Sequence, residues 1–290
     1  MLTDEDREKL AGCRVVASVS GGKDSAALSL WLTEQDIEHD RIFADTGWEH
    51  PATYDYLRGP LTDKLGPIVE VKSHLGGMVD LVKKKGMFPS RLRRFCTQEL
   101  KVRPLSRHMK SLDFDCVNAV GIRAAESKAR AKMPRWEWQQ TFDCDVWRPL
   151  IDWSEQDVID IHHRHGLAPN PLYLQGAERV GCWPCIFSRK REIALVDGLT
   201  PGRIDEIAEL ERELAEKVQA AAEQDGKQRV LPTFFHKKGH TADKKGPLPI
   251  AEAVEWSKTS RGGRQIMLLD TEPAGCVRWG LCEAQKDEDS

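Results

Sequence analysis

The chain has 290 residues, 40% hydrophobic and 31% charged, with a formal net charge of −3 from 43 basic and 46 acidic residues. That mix supports a packed core in one large domain or two small ones. It excludes a histone-like basic binder and an acidic disordered tail, but not a local basic groove. Eight cysteines stand out. The start MLTDEDREKL is acidic and polar and no apolar run reaches membrane-spanning length, so the expectation is a cytoplasmic chain with no membrane contact. In a reducing compartment, clustered cysteines point to metal, iron–sulfur or redox chemistry before disulfides.

The first element, Asp4 to Leu10, reads as a polar helix. Arg14 to Val19 is a short run rich in β-branched residues and reads as a buried strand. Ser20-Gly21-Gly22-Lys23-Asp24-Ser25 breaks it, and Ala26 to Leu32 follows as a helix. Arg41 to Ala44 is the next strand and ends at Asp45-Thr46-Gly47. Thr53 to Leu57 begins a helix, Ile68 to Val71 is a third strand, and Cys116 to Val120 is a later one ending at Gly121-Ile122-Arg123. Strands alternating with helices predict an α/β fold with a doubly wound, mostly parallel sheet. Functional residues should then gather at the carboxyl ends of strands. Asp152 to His165 reads as a short helix with Ser154 as N-cap. Thr200-Pro201 opens a long amphipathic helix that ends at Asp225-Gly226. Residues 227–250 read as an irregular connection. A boundary near 190 divides a nucleotide-binding domain, 1–190, from a C-terminal helical and irregular region, 191–290.

A strand, a Gly-Gly-Lys turn and a helix together form an anion cradle. Glycines bring backbone N–H groups close to phosphate, and the helix adds its unpaired N–H groups and positive dipole end. Lys23 can neutralise phosphate charge, Ser20 and Ser25 can donate hydroxyls, and Asp24 or Asp45 can hold Mg²⁺ through water. The pattern is not a Walker loop, because the lysine follows two adjacent glycines. Asp45, Thr46 and Gly47, or Gly121 with Arg123, read as further walls of the pocket, and Arg123 can grip phosphate or sulfate bidentately. Glu126, Ser127 and Arg130 either complete that wall or form a surface ion pair. Lys101 and Arg103 read as an anion grip near Cys96. Lys83 to Lys85 with Arg91, Arg93 and Arg94 form a basic block. Such a block is either a solvated face or a phosphate-binding edge. Glu49 and His50 read as surface residues.

Cys182-Trp183-Pro184-Cys185 can grip one metal or cluster from a tight turn. A redox dithiol and a zinc site completed by Cys96 and a tail cysteine are the alternatives. Cys13, Cys116 and Cys144 read as small core hydrophobes. Trp136, Trp138 and Trp147 read as packing residues that could also stack a base. His162, His163, His165, His236 and His240 read as surface or structural.

Ser20–Ser25 resembles the pyrophosphate loop of the ATP pyrophosphatases, the PP-loop, HUP-like superfamily. Within it the chain resembles the phosphoadenosine phosphosulfate reductase-like family over about residues 12–190. The likeness rests on Ser20–Ser25, Asp45–Gly47, Cys96 to Lys101 with Pro104, and Gly121–Arg123 with Glu126 and Ser127. It extends to Pro149-Leu150 with Trp153, Asn170 to Tyr173 with Gly176, and Gly181 to Cys185. It implies binding of ATP or an adenine sulfonucleotide, with Mg²⁺, and cleavage at the α phosphate; the alternatives are a sulfonucleotide reductase that forms sulfite with a thiol reductant and a non-catalytic nucleotide- or nucleic-acid-binding partner subunit. The residues it implies are Ser20, Gly21, Gly22, Lys23, Asp24, Ser25, Asp45, Thr46, Gly47, Gly121 and Arg123 for the nucleotide. Lys23, Asp24, Lys101 and Arg123 are then the catalytic set. It also implies a [4Fe–4S] cluster on Cys96, Cys182 and Cys185 with Cys276 or Cys282, used for sulfur transfer or redox chemistry. The implied partners are the nucleotide, a thioredoxin-like reductant or sulfur donor, and a nucleic-acid or partner-protein acceptor, with homo-oligomer formation left open. The sequence departs from the family's sulfonucleotide reductases in two places. Its phosphate loop is intact where theirs is degraded, and its tail reads Gly280-Leu281-Cys282-Glu283 where theirs reads Glu-Cys-Gly-Leu-His.

Overall fold

A computed structural model describes residues 2–237, 246–259 and 279. The chain runs α1 (Asp4–Leu10), β1 (Arg14–Val19), α2 (Lys23–Glu34), β2 (His39–Asp45), α3 (Pro51–Tyr56), α4 (Thr62–Leu65) and β3 (Val69–Lys72). Next come α5 (Met78–Lys85), α6 (Phe95–Thr97), α7 (Arg103–Met109), β4 (Cys116–Val120), β5 (Trp136–Gln139), β6 (Cys144–Trp147), α8 (Glu155–Arg164) and α9 (Pro171–Leu174). The last are α10 (Lys190–Leu199), α11 (Pro201–Asp225), β7 (Phe235–Lys237), β8 (Gly246–Leu248) and α12 (Ile250–Ser257).

Contacts divide the chain into two compact units. One holds residues 2–73 and 99–181 with Trp279; the other holds 74–98 and the remaining described residues beyond 181. The sequence boundary at 190 differs from this division, because 74–98 joins the second unit through α5, which packs on α11. A single cut along the chain cannot express such an excursion.

The first unit is built on a six-stranded sheet in the order β3-β2-β1-β4-β6-β5. All neighbouring pairs are parallel except β5–β6. The period-2 geometry of a strand sends alternate side chains to opposite faces. Val15, Ala17 and Val19 of β1 therefore meet Ala27, Leu28 and Trp31 of α2 in one core, while Val16 and Ile42 meet Leu105 and Met109 of α7 in another. Helices thus cover both faces, which is the doubly wound α/β class expected. The strand order reverses between β1 and β4, which opens a crevice at their carboxyl ends. The β5–β6 hairpin, unread in the sequence, brings Trp136 and Trp147 into a stack with ring centroids 5.2 Å apart. Both indole N–H groups, at 2.8 and 2.9 Å, and the Arg135 guanidinium donate to the fully buried Asp6 carboxylate. Those two tryptophans are therefore core residues, and only Trp138 of the three stays exposed.

In the second unit α11 is bounded as expected, with Pro201 in its first turn and left-handed Gly226 as its cap. The stretch read as irregular, 227–250, holds the β7–β8 pair and ends on Ile250, the first residue of α12. Buried Glu211 of α11 accepts from the Phe234 and Ile250 amides. Among the described residues no helix is long and apolar enough to cross a membrane.

Candidate nucleotide site

The loop after β1 makes its turn at Gly21, where φ is +72°, a left-handed value that glycine alone adopts at little cost. A Cβ there would sit 2.8 Å from Thr53 Cγ2 of α3. Gly22 is the N-cap of α2 and brings no capping side chain, so the helix start faces the loop with its backbone N–H groups. Ser25 closes the turn: its hydroxyl donates to the Gly22 carbonyl at 2.9 Å and accepts from the Ser20 amide at 3.1 Å. Both serines, expected to donate outward, thus shape the loop, with their hydroxyl oxygens 3.3 Å apart.

Lys23 is buried, its Nζ 3.2 Å from Glu155 Oε1, 4.0 Å from Asp24 Oδ2 and 4.9 Å from the centre of the Tyr173 ring. Its amide donates to the Tyr173 hydroxyl at 3.0 Å. Tyr173 is backed by Trp279, whose carbonyl meets His163 Nε2 at 2.7 Å. Burial pushes the phenol of Tyr173 well above the usual tyrosine range, so it stays a neutral hydroxyl. Asn170 ties the loop to α3: its amide donates to the Gly21 carbonyl at 3.2 Å and the Thr53 hydroxyl at 3.3 Å. His162 is fully buried; burial lowers it to about 4, and its Nδ1 meets the Val158 carbonyl at 2.7 Å. It is neutral and structural, not a surface residue.

The end of β4 closes on the same loop. An added Cβ at Gly121 would lie 2.5 Å from the Asp24 carbonyl oxygen, so only glycine lets the two backbones approach this closely. Arg123 is buried, and its Nε donates to Asp24 Oδ1 at 2.5 Å. Asp24 therefore pairs with Arg123 and Lys23 in this structure, the two cations expected to meet phosphate. Glu126 accepts from the Arg123 amide at 2.8 Å and pairs with Arg130, so the local ion-pair alternative describes that segment.

The end of β2 forms a separate network. Asp45 accepts from the Gly47 amide at 2.8 Å and the Tyr54 hydroxyl at 2.7 Å, and pairs with Lys72 at 2.9 Å. Burial alone raises its carboxyl, but these partners outweigh burial and hold it below the usual range. Thr46 donates to Glu49 at 2.8 Å. Glu49 is 2% exposed, which corrects its reading as a surface residue, while His50 is half-buried and caps α3 by accepting from the Ala52 amide. Lys101 is half-buried in the turn before α7, and Arg103 pairs with Glu99 at 2.7 Å. Ser20–Ser25, Gly121 and Arg123 thus come together, while Asp45–Gly47 is organised mainly within its own turn. Sequence alone gives Tyr173, Asn170 and Glu155 no individual role. The Asn170-to-Tyr173 motif was visible, but the 150-residue separation of Tyr173 from the loop hid its function.

In the second unit, Cys96 lies on α6 and Cys182 and Cys185 on the loop before α10. Burial raises the Cys96 thiol, and the nearby Cys185 adds to the rise. Ser188 accepts from the Cys185 amide at 3.1 Å, fixing that turn. Arg91 and Arg94 lie over the Phe187 ring at 5.2 and 5.1 Å, and Lys83 pairs with Glu213 at 3.0 Å. Part of the basic block is therefore engaged locally. Among the described residues no three His, Cys, Asp or Glu side chains gather as a metal-ready group. Cys276 and Cys282 lie outside the described residues.

The family profile described as phosphoadenosine phosphosulfate reductase domain matches residues 14–188. An uncharacterized 37.8 kDa protein in the gpa 5′ region of Escherichia phage 186 is 33% identical over 92% of this chain and 96% of its own length. The adenosine 5′-phosphosulfate reductase of Allochromatium vinosum is 33% identical over 38% of this chain, which spans only 41% of that enzyme. The crystal structure of a phosphoadenylyl-sulfate reductase from Candida auris, in a phosphate complex, covers 63% of this chain and 97% of its own at 20% identity and a TM-score of 0.48. With well over half of its length matched by the profile, the chain belongs to the phosphoadenosine phosphosulfate reductase domain family.

Proposed function

We propose that this chain is an enzyme of sulfur metabolism that binds ATP on the Ser20–Ser25 loop and cleaves it at the α phosphate to activate an acceptor. The observation that carries the reading is the loop itself: left-handed Gly21, uncapped Gly22 and buried Lys23 lie at the start of α2, where strand order reverses. Backbone N–H groups and Lys23 would hold the β and γ phosphates, and a bound Mg²⁺ would offset their charge. Bound polyphosphate would compete with Asp24 for Arg123 and release that guanidinium toward the α phosphate. Asp24, freed in turn, could take a Mg²⁺-bound water. Lys101 would steady an anionic group of the acceptor. Asp45, Thr46 and Gly47 would border the nucleotide from the end of β2.

The donor chemistry of Cys96 and Cys185 suits iron or zinc, and a site on them needs further thiolates. We assign these to Cys182 and to Cys276 or Cys282, holding a [4Fe–4S] cluster. When bound, such a cluster would supply electrons or carry sulfur. A sulfur donor or thioredoxin-like reductant and a nucleic-acid or protein acceptor are the partners this reaction needs. A second reading, reduction of a sulfonucleotide to sulfite by a thiol reductant without ATP cleavage, is supported by the likeness to the Allochromatium reductase. One product screen separates the two. With ATP and acceptor, the first reading yields AMP and pyrophosphate; the second yields sulfite from an adenine sulfonucleotide with ATP untouched. Iron and sulfide analysis of anaerobically purified protein tests the cluster.

A further inference from the structure

At the opposite end of the sheet from the phosphate loop, two thiols face each other across neighbouring strands. β4 and β6 are parallel, with Asn118 opposite Val146 and Ala119 opposite Trp147. Two residues back along both strands, the same register sets Cys116 opposite Cys144. Residues opposite one another in a ladder point to the same face. Both cysteines accordingly belong to the apolar cluster under α7, beside Leu105, Met109 and Leu112. Adjacent strands lie about 4.8 Å apart, inside the roughly 4.4–6.8 Å Cα range that a disulfide spans. Both thiols are free, Cys116 half-buried and Cys144 buried. Cys13 packs into the core on the other face of the sheet.

We propose that Cys116 and Cys144 form a redox-modifiable pair that closes to a disulfide when the protein meets a small-molecule disulfide. The two sulfurs have different roles. The adjoining Cys116 sulfur and burial raise the Cys144 thiol above the usual range, while Cys116 is only half-buried. Cys116, the more accessible, is the attacking group. Its sulfur attacks one sulfur of the small disulfide; the other leaves as a thiolate and takes the Cys116 proton. The Cys144 sulfur then attacks Cys116 in the mixed disulfide and releases the second small thiol, which takes the Cys144 proton. Two electrons leave the pair and one small disulfide becomes two thiols. The cross-link would fasten β4 to β6, the strands that lead to Arg123 and Arg148.

The test uses the full-length reduced protein and oxidised glutathione, quenched in acid and digested with trypsin without reductant. The expected product joins residues 111–123 to residues 136–164, each with a single cysteine, at the summed mass of the two peptides less two hydrogens. Cys144→Ser should stop at one glutathionyl group on Cys116, and Cys116→Ser should abolish both products. The proposal is overturned if Cys116 and Cys144 both remain alkylatable after unfolding, or if Cys13 replaces either of them in the linked product. The wild-type peptide map is decisive even if a serine variant fails to fold.

Discussion

Gly121→Ala is the smallest change that should disturb the phosphate loop from outside it. The new methyl would meet the Asp24 carbonyl oxygen at 2.5 Å, its carbon at 2.8 Å and the Ser25 amide nitrogen at 3.1 Å. All three atoms are backbone, so no side-chain rotation relieves the clash. Regaining an ordinary contact of 3.4 Å requires β4 and the start of α2 to part by about 0.9 Å. Overpacking of this kind costs about 1–3 kcal/mol. In a domain of this size that lowers the melting midpoint by roughly 2–10 °C. The same displacement moves the N–H groups of the α2 N-terminus, and a misplacement of about 1 Å can cost on the order of 100-fold in function. Thermal melting and titration with ATP, or with an adenine sulfonucleotide, read the two effects separately. The reasoning fails if Gly121→Ala melts within a degree of the native chain and binds nucleotide within twofold of it.

Three further outcomes follow from the same contacts. Tyr173→Phe removes the acceptor of the Lys23 amide and should cost about 1–3 kcal/mol of stability, read by denaturant unfolding; an unchanged midpoint would count against that bond. Asp6→Ala strands the Arg135 guanidinium and two buried indole N–H groups and should cost about 3–5 kcal/mol. Burial opposes ionisation of Asp6, but Arg135, the Thr3 amide and Trp136 together hold its carboxyl below the usual range. Its contribution is therefore present above about pH 4 and lost as pH falls further, so a pH series of melts should show less acid sensitivity in the alanine variant. Cys96→Ser should cut the iron bound after anaerobic purification by more than half, and full retention would remove Cys96 from the ligand set.

The parallel core was legible because its signals are local. Arg14–Val19 and Cys116–Val120 are apolar runs whose ends coincide with the strands, and Ser154 and Gly226 cap α8 and α11 where residue type alone places them. The loop after β1 was legible for the same reason. The contacts that shape the pocket were not. Glu49 reads as a surface acid, yet Thr46 and Tyr54 hydroxyls satisfy it inside the fold. Asp24 reads as a carboxylate that holds Mg²⁺ through water, yet Arg123, 99 residues away, lies against it. The β5–β6 hairpin carries no clear local signal, because Trp136 and Trp138 belong to a stretch broken by polar residues. Its stability depends on an aspartate 130 residues earlier. Pairings of that range depend on the folded chain, not on any local pattern.

The central claim is that the Ser20–Ser25 loop is a polyphosphate site whose charge comes from Lys23. Calorimetric titration of the native chain and of Lys23→Ala with ATP and Mg²⁺ tests it most directly. The account predicts saturable binding at one site per chain, weakened about 100-fold or more, roughly 2.7 kcal/mol, in the variant. Equal affinity in the two proteins, with both folded by melting, would contradict it.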